Sequence, residues 1–338
     1  MKSEKLYQRI TKLIQKQGFK ELKLDPVIET KYIRDENLKK YLFTFRDDKA
    51  NKTYALRPDL SLMSLIQFSK SKNTKKSKIS YSGESYRKNK TINSQIGWEI
   101  YNSKKQSDEY EVIKNSIEVY KKITKKKGYL RIGNLELFSS VVNQLQLPIR
   151  WKQRIVDQRY DPKYLYEILK RLETNKDLLD ETKIAIDKKL YNKMKKLDPD
   201  TIIANRTVKD ILSRFETKVY KQPRPLDGKR SVQIIKKFLK LKCPIEKAPK
   251  LLSAFFEKYK LNIKISKDYF PIRKNNIKNL KIEYSSSEIP DVEIYSGLYF
   301  SIINKKLIKI ISGGCFNTLI SSLGLRPINA VGAAINLS

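Results

Sequence analysis

Apolar residues Leu6, Ile10, Leu13 and Ile14 recur at i, i+4, i+7 and i+8, one stripe of an α-helix, and Gly18 ends the pattern, so residues 4–17 predict an amphipathic helix. The period then shortens. β-type runs follow at Tyr41–Phe45, Lys52–Leu56, Lys78–Tyr86 and Gln95–Asn102, several of them alternating as a half-buried strand does. Ser107–Lys127 predicts a long helix with Ser107 as its N-cap. Asp108, Glu109 and Glu111 lie near its start and lysines in its last turn, the arrangement a helix dipole favours. Another helical signal begins near Asn134 and places Leu137, Val141, Val142 and Leu145 on one face.

From about Pro148 to Lys260 strand signals fade. Short helical patterns succeed one another there, broken by Pro162, Pro199, Pro223, Pro225, Pro244 and Pro249. Strand patterns return at Asn262–Ile265, Leu280–Tyr284, Val292–Ile303 and Lys306–Ile311, with Asn304-Lys305 as a hairpin tip. Gly313-Gly314 breaks the run, and a final helix-and-strand piece follows. Strands at both ends with helices between them predict an α+β fold, a mainly antiparallel sheet flanked by helices and assembled from distant segments. The expected core comprises residues 1–147 and 261–338, with 148–260 as a helical insertion.

Composition narrows the chemistry. The 338 residues include 72 Lys+Arg, 36 Asp+Glu, two cysteines and no histidine. Without an imidazole there is no Ser-His-Asp triad, no Cys-His dyad and no His-ligated zinc. No metal set or cofactor motif is expected. Cys243 and Cys315 are too far apart for a CxxC site and too few for a disulfide scaffold, which points to a reducing compartment. The first residues lack an apolar leader and no stretch approaches 18 apolar residues, so the expected location is cytoplasmic, with no membrane partner. A formal charge of +36 suggests nucleic acid at first sight. However, only 16 of the basic residues are arginine, the preferred fork for phosphates and bases, and the lysines are scattered along every segment. The excess of Lys, Ile and Asn reads first as compositional drift. Attraction to an acidic partner subunit or to RNA is the alternative.

Four segments carry more than generic patterning: Gly18–Glu29, Leu56–Met63, Tyr81–Arg87 with Gln95–Ile100, and Ile294–Phe300 followed by Gly313–Asn317 and Ala330–Gly332. On the strand Gln95–Asn102, Gln95, Gly97 and Glu99 share one face, so two polar side chains point where Gly97 leaves space, and Asp59 at a strand-to-helix turn can approach them. Two carboxylates and an amide in a concave site suit an ammonium group, and Arg87 suits a carboxylate or phosphate. The plainer alternative is that Asp59 caps the next helix and Glu99 pairs with a surface lysine.

In this order the four segments resemble the class II aminoacyl-tRNA synthetase fold, and its histidyl-tRNA synthetase branch in particular. Residues 18–29 resemble the dimer-forming first motif. Arg57–Ser61 is similar to the Arg-Pro-Glu/Asp-x-Thr element, with Ser61 in the Thr place. Arg87 falls where the second motif has its arginine, and Gln95–Glu99 matches Gln-x-Gly-x-Glu. Tyr295–Phe300 resembles Tyr-Thr-Gly-x-x-Phe, and Gly313–Asn317 stands where Gly-Gly-Arg-Tyr-Asp is usual. The resemblance implies a histidine-like ligand pocket formed by Asp59, Ser61, Arg87, Gln95, Glu99 and Tyr295.

The departures are equally specific. Pro290 stands where the family places an arginine that stabilises charge during adenylate formation, and proline cannot donate a hydrogen bond. Ser301, Cys315 and Asn317 also depart from the pattern. The loop Lys88–Ser94 is shorter than the synthetase loop that reaches tRNA. The third-motif arginine expected after Gly332 does not occur before Ser338, and no anticodon-binding domain is expected. A synthetase-like core of this kind resembles the regulatory-subunit family of ATP phosphoribosyltransferase. What that implies is a non-catalytic protein that partners the short-form catalytic subunit at the first step of histidine biosynthesis, self-associates through residues 18–29, and conveys feedback inhibition by histidine. The alternatives are a degenerate paralogue that binds tRNA or other RNA, and an adenylate-forming enzyme with another acceptor. Trp98 and Trp151 are expected to pack, Lys121–Lys127 to be solvated, and Cys315 to be buried.

Overall fold

The chain is described by a computed structural model covering residues 2–33, 36–71, 73–88, 92–103, 106–174, 181–203, 206–219, 225–266, 269–272, 277–290, 295–316 and 328–337. Two compact units emerge. One comprises residues 1–137, 241–254 and 264–338, and the other residues 138–240 and 255–263.

In the first unit, α1 (Lys2–Lys16) buries Ile10 and Ile14 completely and half-buries Leu6 and Leu13, the stripe expected from their spacing. Gly18 follows with φ +87°, a left-handed residue that ends the helix. Next come β1 (Lys20–Glu21), β2 (Val27–Glu29), α2 (Glu36–Lys39), β3 (Thr44–Asp47), β4 (Lys52–Leu56), α3 (Leu60–Lys70), β5 (Ser77–Ser85), β6 (Asn93–Tyr101), α4 (Gln106–Ile123), β7 (Gly128–Asn134) and α5 (Leu135–Gln144), which from Phe138 on belongs to the second unit. Asn134 starts α5 by accepting the Glu136 and Leu137 N–H groups on its side-chain oxygen.

The second unit is helical. It contains α6 (Ile149–Asp157), α7 (Pro162–Thr174), α8 (Glu181–Met194), the short pair β8 (Ile202–Ile203) and β9 (Arg206–Thr207), α9 (Val208–Val219) and α10 (Pro225–Leu239). Trp151 and Ile155 of α6, Leu165, Ile168, Leu169 and Leu172 of α7, and Val232, Ile235 and Phe238 of α10 are buried in its core. The chain continues with β10 (Lys242–Pro244), α11 (Ala248–Lys258), β11 (Leu280–Ser285), β12 (Leu298–Asn304), β13 (Lys309–Cys315) and β14 (Ala330–Asn336).

Nine strands form the main sheet in the order β1-β5-β6-β14-β13-β12-β7-β11-β10, antiparallel except where β1 meets β5 and β11 meets β7. One face receives α1 and α4, whose Val112, Ile113 and Ile117 are buried. α3 is buried almost all round because it lies between this sheet and the small sheet β2-β4-β3. It shares a core of Ile28, Ala55, Leu62, Met63 and Ile66 with the small sheet, and stacks Phe68 on Tyr101 of the large one.

Several expectations are corrected. Asn262–Ile265 alternates like a strand but pairs with no strand among the described residues. Tyr41–Phe45 begins too early, since the strand is Thr44–Asp47. The stretch from about Pro148 to Lys260, expected to have almost no strand character, contributes the two-residue strands β8 and β9 and the sheet-edge strand β10. Lys306–Ile308 belongs to the hairpin turn: the Asn304 carboxamide accepts from Lys306 and Ile308 N–H, and Leu307 adopts φ +61°, so pairing resumes at Lys309. Ser107 lies inside the first turn of α4, not ahead of it. Val292–Ile294 and the final helical piece over 317–327 lie outside the described residues.

Candidate functional site

Asp59 sits in extended conformation at the head of α3, and its Oδ1 accepts the Leu62 N–H at 3.0 Å. Arg87, at the far end of β5, folds back on the same corner. It donates from Nε to the Pro58 carbonyl at 2.8 Å and from Nη2 to Asp59 Oδ2 at 3.3 Å. Asp59 therefore does what the plainer alternative anticipated, and Arg87 is its partner.

The pleat brings Gln95, Gly97, Glu99 and Tyr101 of β6 onto the face toward α3. Tyr81 of β5 is the cross-strand neighbour of Gly97. A Cβ on Gly97 would stand 2.2 Å from Tyr81 Cζ, so the space that glycine leaves is filled by the tyrosine ring. Glu99 leans over Gly332 of β14, where a Cβ would lie 2.4 Å from its Cγ. Neither glycine can be exchanged without moving a side chain of the site.

Glu99 is 1% exposed. Tyr81 OH donates to its Oε1 at 2.6 Å, and Tyr101 OH donates to its Oε2. The hydroxyls continue outward: Ser61 Oγ lies 2.6 Å from Tyr81 OH and Ser64 Oγ 2.8 Å from Tyr101 OH, both from α3. Burial pushes the Glu99 carboxyl up to about 7, opposed by the donors Tyr101, Tyr81 and Ser64 and reinforced by the Asp59 charge. The same burial, together with the Glu99 charge, holds both phenols far above their ordinary range. Both Glu99 oxygens are thus taken by phenol hydroxyls, and the groups acting on the carboxyl are hydroxyls and a second carboxylate, so the site is a buried carboxyl network enclosed by its own donors.

Gln95 lies on the same face, between Gly83 of β5 and Asn336 of β14. Its Nε2 donates to Asn336 Oδ1 at 2.8 Å, and its Oε1 is buried with no hydrogen-bond partner among the described residues. Tyr295 is buried, with its ring 5.2 Å from that of Tyr299 and 6.1 Å from that of Phe316, and Phe316 stands 6.4 Å from Tyr101. An aromatic wall thus joins Tyr295 to the phenol that holds Glu99.

Pro290 is buried, and Ser301 donates to Glu288. The Cys315 thiol is buried, donates to Glu109 Oε1 at 3.3 Å, and is raised well above its ordinary value by burial first and by Glu109. Asn317 lies outside the described residues. Sequence reasoning missed Tyr81, Tyr101, Ser64 and Asn336. The two tyrosines could have been found from the pleat, since each shares a face with Gly97 and Glu99. Among the described residues there is no group of His, Cys, Asp and Glu able to hold a metal, and no helix long and apolar enough to cross a membrane.

A mainly antiparallel sheet with a capped helix and a buried carboxyl network on one face, its strands drawn from both ends of the chain, is the class II aminoacyl-tRNA synthetase architecture. Within that class, the profile described as Histidyl-tRNA synthetase matches residues 1–338, and the chain belongs to this family. A curated relative from Allorhizobium ampelinum, described as an ATP phosphoribosyltransferase regulatory subunit, is 25% identical over 221 residues, covering 60% of this chain and 59% of that protein. The match thus spans less than two thirds of the relative's length. Among solved structures, an ATP phosphoribosyltransferase regulatory subunit/histidyl-tRNA synthetase from Bacillus halodurans aligns with TM-score 0.61 and 16% identity, over 99% of this chain and 77% of that one. A chain of the ATP phosphoribosyl transferase (HisG:HisZ) complex from Thermotoga maritima aligns with TM-score 0.52 and 14% identity, over 99% and 97% respectively.

Proposed function

We propose that this chain is the non-catalytic regulatory subunit of an ATP phosphoribosyltransferase. It acts with a short-form catalytic subunit that transfers phosphoribosyl from its diphosphate donor to ATP, and it conveys feedback inhibition by histidine. The observation that carries the reading is the description ATP phosphoribosyltransferase regulatory subunit, shared by curated relatives of this chain. Two features of the site support it. Arg87, the side chain best suited to a phosphate, is engaged with Asp59 and the Pro58 carbonyl, and proline stands where an adenylate-forming enzyme would place a further arginine. Beside the buried Glu99 network, Gln95 Oε1 has no hydrogen-bond partner among the described residues, an acceptor that a ligand rich in donors, as an ammonium with an imidazole is, would match.

In this reading residues 1–147 and 261–338 form the synthetase-like core, 148–260 form the helical insertion, and the protein works in the cytoplasm, self-associating through residues 18–29. Regulation then consists of a coupling free energy of about 1–3 kcal/mol between the histidine site and the partner's active site. Size-exclusion chromatography of the chain mixed with the short-form transferase tests the partnership. Co-elution is expected. Separate elution, together with RNA binding that falls steeply with salt, would move the assignment to a degenerate RNA-binding paralogue.

A further inference from the structure

The small sheet β2-β4-β3 has two unlike faces. Residues directly opposite one another across a ladder lie on the same face. Ile28 and Ala55 are such a pair, and both are buried in the core shared with α3. The other face points away from α3. Val27 stands there opposite Leu56, whose N–H donates to the Phe43 carbonyl, and Glu29 and Phe45 flank Tyr54 on either side. The Phe45 and Tyr54 rings stack with centroids 5.8 Å apart. Val27 is 36% exposed, Phe43 43% and Phe45 47%, whereas every other phenylalanine whose burial is described is buried. Exposed aromatic residues gathered on one flat surface are the composition of an interface core.

The charges on this face say what it meets. Over the whole chain basic residues outnumber acidic ones 72 to 36, so two copies repel each other wherever ordinary surface faces ordinary surface. Here the signs match one for one. Glu29 holds Lys31 at 2.5 Å and Lys52 at 3.4 Å, and Asp47 lies across the ladder from Lys52. A partner of opposite charge finds more to attract it on the rest of the molecule, whereas a like-charged copy is repelled least at this face. We infer that two copies of this chain pair through the outer face of the small sheet, about a two-fold axis that sets the same patch against itself, with the Phe45–Tyr54 stack at its centre. The inference rests on the proposed self-association and deepens it, since of residues 18–29 only β2 belongs to this face and most of the apolar contact comes from Phe43, Phe45 and Tyr54.

The test is sedimentation velocity of the full chain over a concentration series, with wild type, the double variant Phe43→Ser/Phe45→Ser, and Glu29→Lys. Wild type is expected to sediment as a dimer. Loss of both aromatic residues should raise the dimer dissociation constant about a hundredfold or more, with the melting temperature of each variant showing that it is folded. Glu29→Lys makes the face basic and should weaken the dimer about tenfold at ~50 mM salt and much less at ~500 mM, where the added charges are screened. Should the double variant fail to fold, the Glu29→Lys result decides. A dimer that neither variant weakens overturns the inference and leaves self-association standing through another surface. A wild type that stays monomeric at every concentration overturns both.

Discussion

Replacing Glu99 with glutamine tests the electrostatic account of the buried carboxyl. The substitution keeps the shape and an oxygen for Tyr81, and removes the titration. In the folded wild type this carboxyl ionises at about 7, against 4.5 for an ordinary glutamate. Between those values the unfolded chain is already ionised while the folded one still holds its proton. Stability contributed by Glu99 is therefore fully present below pH 4.5 and is lost as pH rises toward 7, at roughly 1.4 kcal/mol per pH unit, for a total of about 3 kcal/mol. Above that window both states are ionised and the loss is constant. Glu99→Gln carries no such loss. Urea unfolding at pH 4.5, 5.5, 6.5 and 7.5, followed by Trp98 fluorescence in a Trp151→Phe background, should show the variant gaining on wild type by about 3 kcal/mol across the series and levelling off near neutrality. A stability difference that is independent of pH, or that shrinks as pH rises, would refute the burial argument.

Other substitutions probe neighbouring contacts. Tyr81→Phe removes a donor that favours the ionised carboxylate, so the upper end of the Glu99 window should move above 7 in the same pH series. Gly97→Ala drives a methyl group into the Tyr81 ring and should cost about 1–3 kcal/mol or more in urea unfolding, with Tyr81→Ala in the same chain relieving the clash. Asp59→Ala removes the α3 cap and should cost about 1 kcal/mol, read as a lower melting temperature at pH 8. Phe238→Ala, in the core of the helical unit, should cost about 3–5 kcal/mol and be visible in the loss of helical circular dichroism.

Local patterning carried much of the fold. The stripe of α1, the helices over 106–123 and 135–144, and the strands over 52–56, 77–85 and 93–101 were legible because each buries one face against a neighbour, which is what periodicity records. Asn262–Ile265 has the same alternation without a strand paired to it among the described residues, since pairing is a property of the partner and not of the run. β10 was invisible because three residues ending in proline are too short to show a period. The strand order, in which β14 lies between β6 and β13, follows from tertiary packing and has no local trace.

The site was legible to the same extent. Gly97 was expected to leave space for the polar side chains beside it, but glycine does not say what fills that space, and here it is the Tyr81 ring. Asp59 carries a cap signal that any Asp ahead of a helix carries, and the structure uses it as one. Asn336 could not have been found locally, because its contact with Gln95 depends on the register between two strands far apart in the chain.

The regulatory assignment is tested most directly by transferase turnover of the short-form catalytic subunit, measured alone and with this chain added, at rising histidine concentration. The account predicts little turnover alone, activation on adding the chain, and inhibition of the complex by histidine. Equal turnover with and without the chain would contradict it.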